Sequence, residues 1–160
     1  LIENGCRNIA MLSGKKTAQV SERRECGYRR ALEKYGLHIR EEWIEDCLFD
    51  QKTAVQKSIE LKKSYPEIDA FFCVSDGVAI GAIEGMGQLG VRVPDDVAIA
   101  GFDDYTVSQY IHGGITSIKQ YPYNMGVACA NTVISMIEGN RVPDWIPMEY
   151  KLMKRASTKK

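Results

Sequence analysis

Three short stretches of this chain are apolar without alternation: IAML within residues 8–13, AFFCV at 70–74 and VAIA at 97–100. A strand with one wet face alternates apolar and polar residues, so an unbroken run belongs to a strand covered on both faces. Between these runs the apolar pattern shifts to a helical period. Tyr28, Ala31, Leu32 and Tyr35 share one face of a helix that Gly36 closes. Residues 52–64 read as a second helix, ended by Pro66, and Ala79, Ala82, Ile83 and Met86 face inward along a third that ends at Gly90. Strands alternating with helices build βαβ units. The expectation is therefore an α/β fold with an open, mainly parallel sheet flanked by helices.

The remaining segments read less sharply. Residues 43–49 and 145–153 look like strands, and 115–119 like an extended crossing segment. Met125, Ala128, Cys129, Thr132, Val133, Met136 and Ile137 form a continuous stripe on a helix over 123–138, stopped by Gly139. Ser75 can cap the third helix, with Asp76 in its first turn favoured by the helix dipole. Leu1 to Gly5 resembles the last turn of a helix and its terminating glycine, so the chain is expected to begin inside a longer protein.

At 160 residues, one domain can bury roughly 70% of its unfolded surface. Lys plus Arg and Asp plus Glu each number 21, so no net field draws the chain to nucleic acid or to a membrane surface. Local basic clusters at Lys15-Lys16, Arg23-Arg24, Arg29-Arg30 and 154–160 read as solvated faces, because no aromatics are interleaved as stacking platforms. Five widely spaced cysteines without a CxxC pair favour a reducing, cytoplasmic setting, with Cys73 and Cys129 expected in the core. No run approaches the ~20 apolar residues that span a bilayer.

Two nominal motifs fail on context. Gly85-Met86-Gly87-Gln88-Leu89-Gly90 fits G-x-G-x-x-G, but it closes a helix where dinucleotide binding needs it to follow a strand and open one. Gly14-Lys15-Lys16-Thr17 lacks the earlier glycine of a phosphate loop. His38 and His112 have no ligand-like neighbours, Asp95-Asp96 reads as a turn cap, and nothing completes an active site around Asp103-Asp104. No enzyme, cofactor or metal is implied. Three residues suit binding instead. Asp103 follows the 97–100 strand, where open α/β sheets place ligands, and can accept hydrogen bonds from vicinal hydroxyls. Arg24 offers a planar fork of donors, and Phe49 a ring to stack on an apolar ligand face. Spacing alone leaves the alternatives open: Arg24 pairing with a nearby Glu, and Phe49 in the core.

Several stretches together resemble the sensor domain of LacI/GalR-family transcriptional regulators: VPDDVAIAGFDD at 93–104, AFFCVSDGVAIGAIEGMGQLGVRVP at 70–94 and ITSIKQYPYNMGVACA at 115–130. NIAMLSG, ERRECGYRRALEKYG and the closing KLMKRAST add weaker matches in family order. The resemblance implies a periplasmic-binding-protein-like fold of two lobes, one largely complete here and the other mostly missing. It assigns residues 1–120 to the C-terminal lobe, 121–142 to a helix of the truncated N-terminal lobe, and 143–160 to a return strand and tail. It also implies a small-molecule effector, by family habit a sugar, bound by Asp103, Arg24, Phe49, Ser75 and Gln120. Ser75 stands where many members have Asn, and His112-Gly113-Gly114 replaces the usual Pro. Residues 77–89 resemble the helix at a homodimer interface. Operator DNA would be bound by a helix-turn-helix headpiece outside this chain. The alternative on the same fold is the sugar-binding component of an ABC transporter.

Overall fold

The computed structural model describes residues 1–159; Lys160, the last residue of the expected basic tail, lies outside the described residues. The chain runs through β1 (Ile9–Ser13), α1 (Gln19–Lys34), β2 (Ile44–Asp46), α2 (Gln51–Ser64), β3 (Ala70–Cys73), α3 (Asp76–Gln88) and β4 (Ala98–Ala100). It then continues through β5 (Ser117–Gln120), α4 (Pro122–Ile137) and β6 (Tyr150–Met153). Strands β1 to β4 form one parallel sheet in the order β2-β1-β3-β4. The expected mainly parallel α/β architecture is the one observed. A separate antiparallel ribbon pairs β5 with β6, Ser117 opposite Met153 and Gln120 opposite Tyr150.

The unbroken apolar strands are explained by two covered faces. Ala10, Leu12, Phe71, Cys73 and Ile99 join one core with Ala54 and Leu61 of α2 and Val78, Ala79, Ala82 and Met86 of α3. Their neighbours along the strands, Ile9, Met11, Ala70 and Ala98, pack with Tyr28 and Leu32 of α1. The period of two thus sorts each strand between two helical layers. Glycines let α3 lie close on α2: a Cβ on Gly81 would come within 2.4 Å of the Gln51 carbonyl oxygen, and one on Gly85 within 2.3 Å of Ser58 Oγ. The G-x-G-x-x-G run is thus a packing and capping device. Gly90, with φ +69°, takes the left-handed turn after α3.

Several expectations need correction. The strand expected over 43–49 holds only at Ile44–Asp46, because Trp43 lies in a short 3-10 turn and Leu48 and Phe49 have φ of 55° and 58°. Likewise, the strand expected over 145–153 forms only at Tyr150–Met153, where β5 supplies a partner. On α1, Tyr28 and Leu32 are buried, whereas Ala31 and Tyr35 are exposed. Cys73 is in the core, but Cys129 is exposed, since α4 has no buried residue at all. Burial pushes the Cys47 thiol up to about 12 and raises that of Cys73 as well. No helix among the described residues is long and apolar enough to cross a membrane. At the start of the chain, Gly5 donates to the Ile2 carbonyl (3.0 Å) and Cys6 to that of Leu1 (3.1 Å), the bonding of a helix C-terminus closed by a left-handed glycine.

Candidate functional site

Parallel pairing delivers the carboxyl ends of four strands to one edge of the sheet: Gly14 after β1, Leu48-Phe49 after β2, Val74-Ser75 after β3 and the Gly101–Asp104 turn after β4. Asp103 and Asp104 take left-handed φ of 104° and 56°, which Asp tolerates better than most residues. The turn is fixed by β5, because Gly101 donates to Thr116 O (2.8 Å) and Asp103 to Ile118 O (3.0 Å).

Arg24 reaches this edge from α1. It donates from Nη2 to Asp103 Oδ1 at 3.1 Å and from Nη1 to the Val74 carbonyl, and its guanidinium lies 3.8 Å from the Phe102 ring centroid. Gln120, at the end of β5, donates to the same Asp103 oxygen at 2.6 Å. The two charged side chains are only 13% and 16% exposed, so their attraction is poorly screened by water. Burial nevertheless raises the Asp103 carboxyl above its ordinary value, outweighing the pull of Arg24 and Gln120 in the other direction. Burial, then the nearby Asp103 charge, raises the Tyr105 phenol. A recess of about 1220 Å3 adjoins the cluster, with Arg24, Phe102, Ile118 and Gln120 among its lining residues and Asp103, Ser75 and Phe49 outside that lining. The cluster can therefore exchange its internal hydrogen bonds for those of a hydroxyl-bearing molecule.

The structure brings Arg24, Asp103 and Gln120 into one hydrogen-bonded cluster, and Ser75 follows the Val74 carbonyl that Arg24 holds. The Ser75 hydroxyl itself caps α3, accepting from Val78 N at 3.3 Å. Phe49 is at the same edge, 38% exposed, with its ring edge lying over Gly14. His112 hydrogen-bonds with the Val93 carbonyl. Asp95 and Asp96 both pair with Arg92, at 3.5 and 2.8 Å.

One organising residue, Asp76, does more than the dipole-favoured role its place in the first turn of α3 suggests. Asp76, fully buried at the start of α3, accepts from Tyr105 N (2.9 Å) and Ser108 Oγ (2.6 Å) on one oxygen and from Ser117 Oγ (2.6 Å) on the other. Its own amide donates to the Phe102 carbonyl (2.7 Å), so one side chain and its backbone clamp the turn that carries Asp103. Asp104 pairs with Arg155 at 2.6 Å and is 2% exposed, a structural contact. The available signal was Gly101: a Cβ there would stand 2.3 Å from Asp76 Oδ1.

Comparison with known proteins matches residues 1–158 to the periplasmic binding protein-like domain. The HTH-type transcriptional regulator CelR of Thermobifida fusca is 34% identical over 158 residues, 98% of this chain and 46% of that protein. The HTH-type transcriptional repressor PurR of Actinobacillus pleuropneumoniae serotype 3 is 29% identical over 162 residues, 99% of this chain and 48% of that protein. A structure described as a transcriptional regulator CelR–cellobiose complex superposes with a TM-score of 0.93 at 34% identity, covering 98% of this chain and 48% of that one. The chain thus spans about half the length of these relatives. By this match, and by the order and type of its elements, the chain belongs to the periplasmic binding protein-like domain family, in the effector-binding part of LacI-type transcriptional regulators.

Proposed function

We propose that this chain senses a sugar on behalf of a LacI/GalR-type regulator, binding it without chemical change at the Arg24–Asp103–Gln120 cluster. The observation that carries this reading is the convergence of donors on one half-buried carboxylate at the carboxyl edge of a parallel sheet. A carboxylate accepts from two neighbouring hydroxyls, and the Arg fork donates to ring or hydroxyl oxygens. The cellobiose bound in the CelR structure supports a sugar over a purine, although PurR relatives are also similar. In this reading Phe49 offers a ring face, while Ser75 stays buried as the cap of α3.

Gln120 links the cluster to the rest of the protein. It ends β5, and α4 begins two residues later. In this reading residues 1–120 form one lobe, 121–142 a helix of a second lobe, and 143–160 the return segment. A sugar that replaces the Gln120 contact favours one placement of β5 and α4 over another, a population shift driven by differential affinity. The protein would act in the cytoplasm as a homodimer, with operator DNA held by a headpiece outside this chain. Regulators among the relatives favour sensing over the transporter alternative.

A thermal-shift screen against cellobiose, other mono- and disaccharides, sugar phosphates and purines tests the reading. A sugar should raise the melting temperature of the wild type and leave Asp103→Ala unmoved. Stabilisation by a purine alone, or an equal response from Asp103→Ala, overturns it.

A further inference from the structure

Ser21 sits in the first turn of α1, three residues before Arg24. It is 1% exposed, and its Oγ has no hydrogen-bond partner among the described residues. Buried hydroxyls are almost always paired, so an unpaired one needs a reason. Two other groups meet at the same point. A Cβ on Gly14 would stand 2.7 Å from Ser21 Oγ and 2.3 and 2.4 Å from Cζ and Cε2 of the Phe49 ring. Gly14 is absent from the residues with positive φ, so what excludes a side chain there is space. Phe49 follows Leu48 through two successive left-handed residues, which turn the chain back over the strand end. Gly14, the Ser21 hydroxyl and the edge of the half-exposed Phe49 ring thus pack together at one point. Of the Gly14 backbone and the aromatic side chain, only the side chain can rotate away cheaply.

We infer that Ser21 is a further ligand-binding residue: the Phe49 ring lifts off Gly14 to lie against the apolar face of a sugar, and the exposed Ser21 hydroxyl pairs with a sugar hydroxyl. The inference rests on the effector reading above and deepens it. It assigns to the site a hydroxyl that donates and accepts in the same contact, beside the acceptor-only carboxylate of Asp103 and the donor-only fork of Arg24. It also gives the unpaired Oγ its partner only in the bound state. A purely structural serine would have that partner in the free protein.

Two measurements on the full chain test this. In the first, the thiol introduced by Ser21→Cys is followed with N-ethylmaleimide by site-resolved mass spectrometry. Adding Phe49→Ala should speed its labelling at least tenfold, and equal rates would show that the Phe49 ring does not shield it. In the second, cellobiose is titrated against wild type, Ser21→Ala and Arg24→Ala. Ser21→Ala should melt no lower than wild type, because it deletes an unpaired hydroxyl, yet bind cellobiose about threefold to tenfold more weakly, the worth of one neutral hydrogen bond. Unchanged affinity in Ser21→Ala alongside lost affinity in Arg24→Ala overturns the Ser21 assignment and leaves the effector site standing. No cellobiose binding by wild type, with none by the other sugars screened, overturns the site reading and this inference with it.

Discussion

Gly101 shows how a missing side chain can set the path of a turn. Its neighbour across the turn is the buried carboxylate of Asp76, which leaves 2.3 Å for a Cβ. Gly101→Ala should therefore destabilise the fold by roughly 1–3 kcal/mol, the usual scale of overpacking, and loosen sugar binding by displacing Asp103. Urea denaturation read beside a sugar titration checks both, and an unchanged midpoint contradicts the packing account. Asp103 itself carries an opposite tension between stability and function. Its pKa is raised in the folded protein, chiefly by burial, so the folded state holds that proton more tightly than the unfolded chain. Its charge thus costs stability at neutral pH, and the cost is relieved as pH falls through the raised pKa. Asp103→Asn stays neutral throughout, while Arg24 keeps the Val74 carbonyl and the Phe102 ring. The variant should melt no lower than wild type at pH 7, the gap should narrow as the solution is acidified, and sugar binding should be lost. A clearly lower melting temperature at pH 7 would contradict this. At this scale the sequence was half legible. Asp103 stands out because it follows the apolar 97–100 run, and Arg24 only as a planar fork of donors early in a helix. Asp76 and Ser21 do not, because an acid after a capping serine and a serine in a first helical turn are both locally ordinary. What distinguishes them comes from partners as far as 41 residues away and from packing against Gly14 beside the Phe49 ring.

At the scale of elements, legibility followed periodicity. β1, β3 and β4 are readable because burial on two faces writes itself into runs of consecutive residues, and the four helices because their apolar residues repeat at helical spacing. β2 and β6 were overextended, since strand ends are decided by partners: β2 stops where the backbone turns left-handed at Leu48, and β6 is as long as its pairing with β5. α4 is the instructive case. Its apolar stripe is helical, yet Met125, Val133, Met136 and Ile137 along it are exposed, as are Val127 and Ile134 beside it and Trp145 and Tyr150 beyond it. Contiguous apolar surface of this kind drives association in water. The 160-residue chain on its own should self-associate with concentration in sedimentation velocity, and Val133→Gln with Ile137→Glu should shift it toward monomer. A wild type that stays monomeric across the range contradicts this use of the helix.

For the whole molecule, a packed α/β layer is followed by a strand and helix that leave its edge. The four-stranded sheet, with α1 on one side and α2 and α3 on the other, holds the strand ends in fixed register. β5 and α4 leave from that edge, and Gln120, at the end of β5, donates to the Asp103 carboxylate. Equal numbers of acidic and basic residues give the chain no net field with which to gather a charged partner, and in the proposed reading recognition rests on this one edge. Isothermal titration calorimetry with cellobiose, comparing wild type with Arg24→Ala and Asp103→Ala, tests that claim most directly. Saturable one-site binding by wild type, weakened about tenfold or more by each substitution, is the predicted result, since hydrogen bonds to charged groups contribute about 1.5–3 kcal/mol. Saturable binding that both variants retain at wild-type affinity would place the ligand elsewhere and contradict the account.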